Sequence, residues 1–273
     1  MAEQGRTWGA VKLGFIGAGS MGGAIIRGLV AAGLPRENLV YYDPDPTRQE
    51  EMGALGVKAA QDYGEVMAAA VVILAVKPQV MPAVLRELQP LARPSHLVIS
   101  VAAGLTLATL EAAFPESRVI RAMPNAPATV GAGMTAFCLG RRATPEDEAL
   151  ALKLFDAVGI AVAVDEKHMD AVTGLSGSGP AFVAVFIEAL ADGGVKVGLP
   201  RALALTLAAQ TVLGAGRLCL EEGLSPGALK DQVASPGGTT IEGLHVLEQT
   251  GFRGAVISAV EAATWRAREL GGK

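Results

Sequence analysis

The stretch Lys12 to Ile26, KLGFIGAGSMGGAII, constrains this chain more than any other. An apolar run, Val11 to Ile16, breaks off at Gly17-Ala18-Gly19-Ser20-Met21-Gly22, and an Ala/Ile/Leu-rich segment of helical character follows. Strand, glycine turn, helix is the context in which G-x-G-x-x-G reads as a dinucleotide-binding turn. Gly17 would allow the tight turn, Gly19 would let the backbone approach a pyrophosphate, and Gly22 would let the helix pack closely on its strand. The helix N-terminal N–H groups then face the anion. The competing reading is an ordinary glycine turn in front of a packed helix.

The chain after this turn alternates strand and helix. Asn38 to Tyr42 reads as a second strand and ends at Asp43, which lies 21 residues after Gly22. An acid there can accept hydrogen bonds from adenosine ribose hydroxyls and repel a 2′-phosphate. It can equally be a turn or N-cap residue, since Pro44-Asp45-Pro46 follows. Arg48 is near enough in sequence to engage a 2′-phosphate, so NAD against NADP stays open, with a lean toward accepting NADH. Asp62 to Ala69 is a short helix candidate. Val71 to Val76 is a buried strand by composition and leaves the sheet at Lys77-Pro78, where ligands of open α/β sheets bind. Val80 to Leu91 is amphipathic, and His96 to Val101 is the next strand. It runs into the small-residue turn Ala102-Ala103-Gly104, with Thr106 as N-cap for a helix from Leu107 to Ala113. Arg118 to Met123 is a strand closed by Pro124-Asn125-Ala126-Pro127. Met134 to Leu139 and Ile160 to Val164 are two more, around a helix Glu146 to Val158 that Pro145 opens. The pattern predicts an α/β domain over 11–165, a doubly wound, mostly parallel sheet. Residues 1–10 read as a flexible lead-in without a signal core.

From Met169 the period changes. Ala181 to Val197, Arg201 to Glu222, Ala228 to Ala234, Ile241 to Gln249 and Ala255 to Leu270 all read as helices, giving an all-α region over 166–273. Ala202 to Leu213, ALALTLAAQTVL, is apolar nearly all round and needs partners on every side. Hydrophobic residues make up 51% of the chain against 18% charged, more apolar surface than so small a helical core can cover alone. An obligate homo-oligomer is therefore expected rather than helices folded back on the sheet. Net charge of −4 with no basic block points away from nucleic acid. Ala181 to Leu190 is interrupted by Glu188 and followed by Asp192, so no membrane span is expected. Cys138 and Cys219 stand far apart without metal spacing, as buried small hydrophobes in a reducing cytoplasm do. No metal is implied.

A second backbone feature is Ser235-Pro236-Gly237-Gly238-Thr239-Thr240, between two helix candidates. The N–H groups of Gly238, Thr239 and Thr240 can turn toward one point and make a carboxylate or phosphate pocket without a charged side chain. The plain alternative is an interhelical turn with a threonine cap. Gly174 to Pro180, GLSGSGP, is a comparable hinge. With IGAGSMG, LAVKP, RAMPNAPA, LSGSGPAF and above all KDQVASPGGTTIEGL, the sequence resembles the Δ1-pyrroline-5-carboxylate reductase family from about Val11 onward. The resemblance implies reduction of a cyclic imine carboxylate to L-proline by NADPH or NADH. It also implies a Rossmann domain followed by a helical domain that interlocks into a homodimer, with rings of dimers in many members. By position, Ile16 to Met21 would hold the pyrophosphate. Val76, Lys77 with Pro78, and Ala102 to Gly104 would line the cofactor cleft, and Asn125 would lie near the nicotinamide. Ser235 to Thr239 would bind the substrate carboxylate, and the Thr240 hydroxyl would face the ring nitrogen. Asp43 stands where Ser or Asn is often seen, and Asp62 where an Asn commonly contacts the adenosine side.

The chemistry agrees with this residue set. A ketone needs an acid beside it as hydride arrives. A pyrroline nitrogen is basic enough to be substantially protonated near neutral pH, so positioning and water exclusion suffice. His96, His168 and His245 accordingly read as structural, and Lys196 as a solvated helix-end lysine. A β-hydroxyacid dehydrogenase would place a lysine early in the first long helix of the second domain, where GPAFVAVFIEAL has none. A non-catalytic NAD(P)-binding sensor would not require the SPGGTT pocket.

Overall fold

The structure, a computed structural model, describes Trp8 and residues 11–272. Strand β1 (Leu13–Ile16) leads into helix α1 (Ser20–Ala31), then β2 (Leu39–Tyr42), α2 (Pro46–Ala54), the two-residue β3 (Lys58–Ala59) and α3 (Tyr63–Val66). β4 (Val71–Leu74), α4 (Met81–Leu88), β5 (Leu97–Ser100), α5 (Leu107–Ala113) and β6 (Arg118–Met123) continue the alternation. β7 (Gly133–Leu139), α6 (Pro145–Phe155) and β8 (Gly159–Ala163) complete one sheet of order β3-β2-β1-β4-β5-β6-β7-β8. Only the β6–β7 pair is antiparallel. The connection between them, Pro124 to Ala132, is too short for the crossover that a parallel pair requires. The sequence pattern left α2 and β3 unassigned. α2 is capped by Asp45, whose Oδ1 accepts from the Thr47 N–H at 2.9 Å, with Pro46 at its first position.

Period-2 alternation places the sheet between two cores. Val71 and Ile73 of β4 pack on one face with Ile25, Ile26 and Leu29 of α1 and Phe155 of α6. Val72 and Leu74 pack on the other with Val84 and Leu88 of α4 and Leu110 of α5. Strands buried on both faces read as continuous apolar runs, which is why β4 and β5 were recognisable by composition. α6 opens with a capping box between Thr144 and Asp147, and the Asp147 carboxylate also pairs with Arg118 at 2.6 Å. Such a cap contributes about 1 kcal/mol.

The expected lead-in fails at Trp8; the other residues of 1–10 lie outside the described residues. Trp8 is buried, its Nε1–H donates to Ala32 O at 2.9 Å, and the Lys153 ammonium sits 4.4 Å from its ring centroid. An indole that fills the base of the core and satisfies its N–H is a fixed part of the domain.

After β8, α7 (Met169–Val172) and a π-helical turn, Thr173–Gly177, lead to α8 (Gly179–Lys196), α9 (Arg201–Glu221), α10 (Pro226–Val233), α11 (Thr239–Gln249) and α12 (Phe252–Leu270). Packing divides the chain later than the change of period at Asp165. The described residues through Gly177, with those from Ala263 onward, form one compact unit, and Ser178–Ala262 forms the other. Segment 166–177 stays with the sheet because Met169 is fully buried in its second core and Glu166 bonds the start of α5.

The helical unit has little interior of its own. Ala191, Ala204 and Ala208 are the buried residues of its cluster, whereas Leu205, Leu213 and Leu220 of α9 are half-exposed or more. The expectation about membrane length needs correction. Glu166–Lys196 and Arg201–Glu221 are both long and apolar enough, by length and composition, to cross a membrane, and only 11% of each apolar window is buried. Glu188 and Asp192 do not lower the average enough to mask this.

Candidate active site

The sheet order reverses between β1 and β4, and the parallel strands present their C-terminal ends along one edge. A crevice at such a reversal is where open α/β sheets take ligands. The residues expected to meet the cofactor all leave the sheet there. Gly17 to Gly22 follow β1, Asp43 follows β2, Val76 to Pro78 follow β4, Ala102 to Gly104 follow β5, and Asn125 follows β6.

The glycines of the turn are not alike. Gly17 has φ +96°, and a Cβ there would lie 2.7 Å from Ala75 O. A Cβ on Gly22 would collide with the Gly17 carbonyl oxygen. Gly19 is different. Its φ of −64° and ψ of −161° suit any residue, and a Cβ would meet nothing within 4 Å. No protein atom fills the space in front of Gly19. Gly19 is also the N-cap of α1 and offers no side-chain cap, which leaves the first N–H groups of α1 directed at that space. The cradle fits a dinucleotide pyrophosphate.

Around this cradle the side chains are already engaged. The Asp43 carboxylate accepts from the Ala18 N–H at 2.7 Å and from the Asp45 N–H at 3.0 Å. Asp62 caps α3, its Oδ1 accepting from the Glu65 N–H at 2.9 Å. Asn125 is buried and tied at both ends: Nδ2–H donates to Ser176 O at 3.0 Å, and Oδ1 accepts from the Met134 N–H at 2.8 Å. One amide N–H remains to it. Lys77, Pro78 and Ala103 are exposed, and Ile16 and Ala102 are buried.

Sequence reasoning missed the group that holds the start of α5 in place. Arg121 on β6 is buried, with Nη1 3.2 Å from Glu166 Oε1 and Nη2 3.6 Å from Asp170 Oδ1. Glu166 Oε1 also accepts from the Leu107 N–H at 2.7 Å. The N-terminus of α5 is thereby satisfied from within and is not an anion site. A charged residue inside the apolar strand RVIRAM was the available signal.

His96 is buried and its Nδ1 accepts from the Arg93 N–H at 3.1 Å. Burial, then the Arg93 guanidinium, hold its pKa below the ordinary value, so the imidazole stays neutral. Burial also pushes the Cys138 thiol up to about 12. A thiol that rarely ionises is inert.

The second feature lies in the helical unit. Ser235 to Gly238 form a turn, with Gly237 at φ +65° and the Gly238 N–H donating to Ser235 O at 3.0 Å. That corrects one expectation: the Gly238 N–H is consumed by the turn, and the free donors begin at Thr239. Gly238 is the N-cap of α11 and supplies no side-chain cap. The helix start therefore presents uncapped N–H groups. The Thr240 hydroxyl makes no hydrogen bond among the described residues, whereas those of Thr206, Thr211 and Thr250 donate to the carbonyl four residues back. In the first turn Thr240 has no helical carbonyl behind it, which leaves its hydroxyl available.

A doubly wound sheet with an open dinucleotide cradle, followed by helices that expose apolar faces, defines a Rossmann-type dinucleotide-binding protein with an association domain. Residues 12–104 match the family model described as NADP oxidoreductase coenzyme F420-dependent, and residues 166–270 match pyrroline-5-carboxylate reductase dimerisation. The chain is 50% identical over 266 residues to the pyrroline-5-carboxylate reductase of Methanosarcina acetivorans, covering 96% of this chain and 98% of that one. It is 48% identical to the enzyme of that name from Pisum sativum, over 94% and 95% of the two chains. The solved structure of a pyrroline-5-carboxylate reductase from Coxiella burnetii superposes with a TM-score of 0.91 at 36% identity, over 96% and 98%. The chain belongs to the pyrroline-5-carboxylate reductase family.

Proposed function

We infer that this chain is an NAD(P)H-dependent oxidoreductase that reduces the cyclic imine pyrroline-5-carboxylate to L-proline, the last step of proline synthesis. One observation carries the reading: the open cradle at Gly19 and the uncapped helix start at Gly238–Thr240 occur together in a chain of this family. The nicotinamide cofactor, when bound, supplies the hydride.

The residues of the chain bind and position. The turn Gly17 to Gly22 holds the pyrophosphate on the N–H groups of α1. Val76, Lys77, Pro78 and Ala102 to Gly104 line the same strand edge, and Asn125 keeps one amide N–H for the nicotinamide side. The turn from Ser235 shapes the pocket, and the free N–H groups of Thr239 and Thr240 at the start of α11 take the substrate carboxylate, a charge matched by the helix start rather than by a cation. The Thr240 hydroxyl orients the ring nitrogen. Because that nitrogen carries its own proton near neutral pH, none of these residues has to be a strong acid, and positioning is the main demand.

The assay is loss of reduced-cofactor absorbance with pyrroline-5-carboxylate; no turnover with either NADH or NADPH would overturn the reading. Thr240→Ala should lower kcat roughly 100-fold, the usual scale for removing one group aimed at a reacting atom. Cofactor affinity should stay unchanged in that variant. A loss of cofactor affinity instead would place the turn elsewhere.

The apolar faces of α8 and α9 support association with a second copy rather than with lipid. They fall inside the segment that matches a dimerisation domain, and α9 carries Arg201 and Arg217 on a helix otherwise rich in leucine. Light scattering should give the mass of a homodimer, or of a ring of dimers, in the absence of detergent; a monomer, or material that needs detergent, overturns this. The free thiols Cys138 and Cys219 support a reducing cytoplasm as the working compartment.

A further inference from the structure

The geometry points to Asp43 as the residue that sets cofactor choice, and to NADH over NADPH as the choice it makes. This rests on the reductase reading above. It goes further, because nothing in that reading separates a ribose 2′-hydroxyl from a 2′-phosphate.

Tyr42, the last residue of β2, pairs with Ile16, and its carbonyl accepts from the Gly17 N–H at 2.9 Å. Asp43 therefore emerges directly beside the glycine turn. Its two oxygens are fixed separately, Oδ2 by the Ala18 N–H at 2.7 Å and Oδ1 by the Asp45 N–H at 3.0 Å, while the Gln49 side chain holds its carbonyl at 2.8 Å. A carboxylate pinned in this way cannot swing out to make room for an anion. It retains lone pairs that accept from ribose hydroxyls.

The surroundings do not offset its charge. Arg48, the cation nearest in sequence, is bound by both oxygens of Glu51, at 2.9 and 3.0 Å. Glu51 also lies 4.0 Å from Arg27. Lys58, on the strand beside β2, pairs with Glu65 at 3.1 Å. Asp45, in the same turn, adds a further carboxylate. Exposed pairs such as Arg48–Glu51 exchange readily, so Arg48 alone does not decide the outcome. Asp43 decides it, because a 2′-phosphate carrying up to two charges would have to stand against a fixed carboxylate. That repulsion acts at short range and is only partly screened by salt.

The test separates binding from turnover. Dissociation constants for NADH and NADPH, and for the fragments AMP and adenosine 2′,5′-bisphosphate, are measured by calorimetry on the native protein, on Asp43→Ser and on Asp43→Asn. Asn keeps an oxygen for the Ala18 N–H and guards against a variant that loses the turn. NADH should bind at least 10-fold more tightly than NADPH, and AMP more tightly than the bisphosphate. Both variants should shrink these ratios by about 10-fold. Equal or tighter binding of NADPH by the native protein, or ratios unchanged in both variants, overturns the assignment while leaving the reductase reading in place. Binding of neither cofactor overturns both. Turnover with pyrroline-5-carboxylate should follow the same order of cofactors.

Discussion

Gly19→Val is expected to weaken cofactor binding roughly 100-fold, about 2.8 kcal/mol at 1.4 kcal/mol per decade, with no loss of thermal stability. The reason is the asymmetry within the glycine turn. Valine fits the backbone at 19, since φ is −64° and ψ is −161°, and its side chain meets no protein atom within 4 Å of the Cβ position. Those methyl groups would occupy the cradle in front of the first N–H groups of α1. Gly22→Val is the matched control. There the Cβ collides with the Gly17 carbonyl, so the fold itself should suffer. Calorimetric titration with NAD(H), beside thermal melts of both variants, checks the pair. If Gly19→Val melts lower yet binds cofactor normally, the cradle has been misassigned.

Arg121→Met should be the most damaging substitution among the charged residues, about 3 kcal/mol or more, with a melting temperature lower by roughly 10 °C. Arg121 is 4% exposed and is ion-paired with both Glu166 and Asp170. Methionine replaces the volume but leaves two carboxylates without their shared cation, Asp170 in a buried position. Glu166 also caps α5 and anchors segment 166–177, so loosening it should disturb Ser176 and, through it, Asn125. The double variant Arg121→Met/Asp170→Asn should recover part of the loss, because it removes one of the two negative charges that Arg121 offsets. A melt of Arg121→Met within a degree or two of the native protein would show that solvent already compensates these charges.

Much of the fold was legible because it is local. The strand at Val71 and the helix at Leu107 with its Thr106 cap depend on periodicity and on capping chemistry written within a few residues. What periodicity does not carry is which strand lies beside which. The β6–β7 reversal, the two-residue β3 and the helix behind Pro46 each follow from neighbours in space or from a short proline-rich segment with little apolar pattern. The same divide runs through the site. Glycine turns are legible where only glycine serves, as at Gly17 and Gly22, and Gly237 with its positive φ marked the turn before α11 in the same way. That Gly238 spends its N–H on Ser235, and that the Thr240 hydroxyl is free, required the helix start to be located.

The sequence by itself determined the order of most elements, the glycine turn after β1, the turn before α11 and the apolar faces of α9. These are properties of backbone conformation and side-chain period, which neighbours along the chain decide. Tertiary structure alone placed the Asp43 carboxylate on the Ala18 N–H, buried Trp8 against Ala32, and carried Glu166 across 59 positions to the start of α5. Each of these joins groups that no window of sequence holds together. They form because the sheet brings strand ends side by side, and because a buried polar group without a partner is costly enough to select the one it finds.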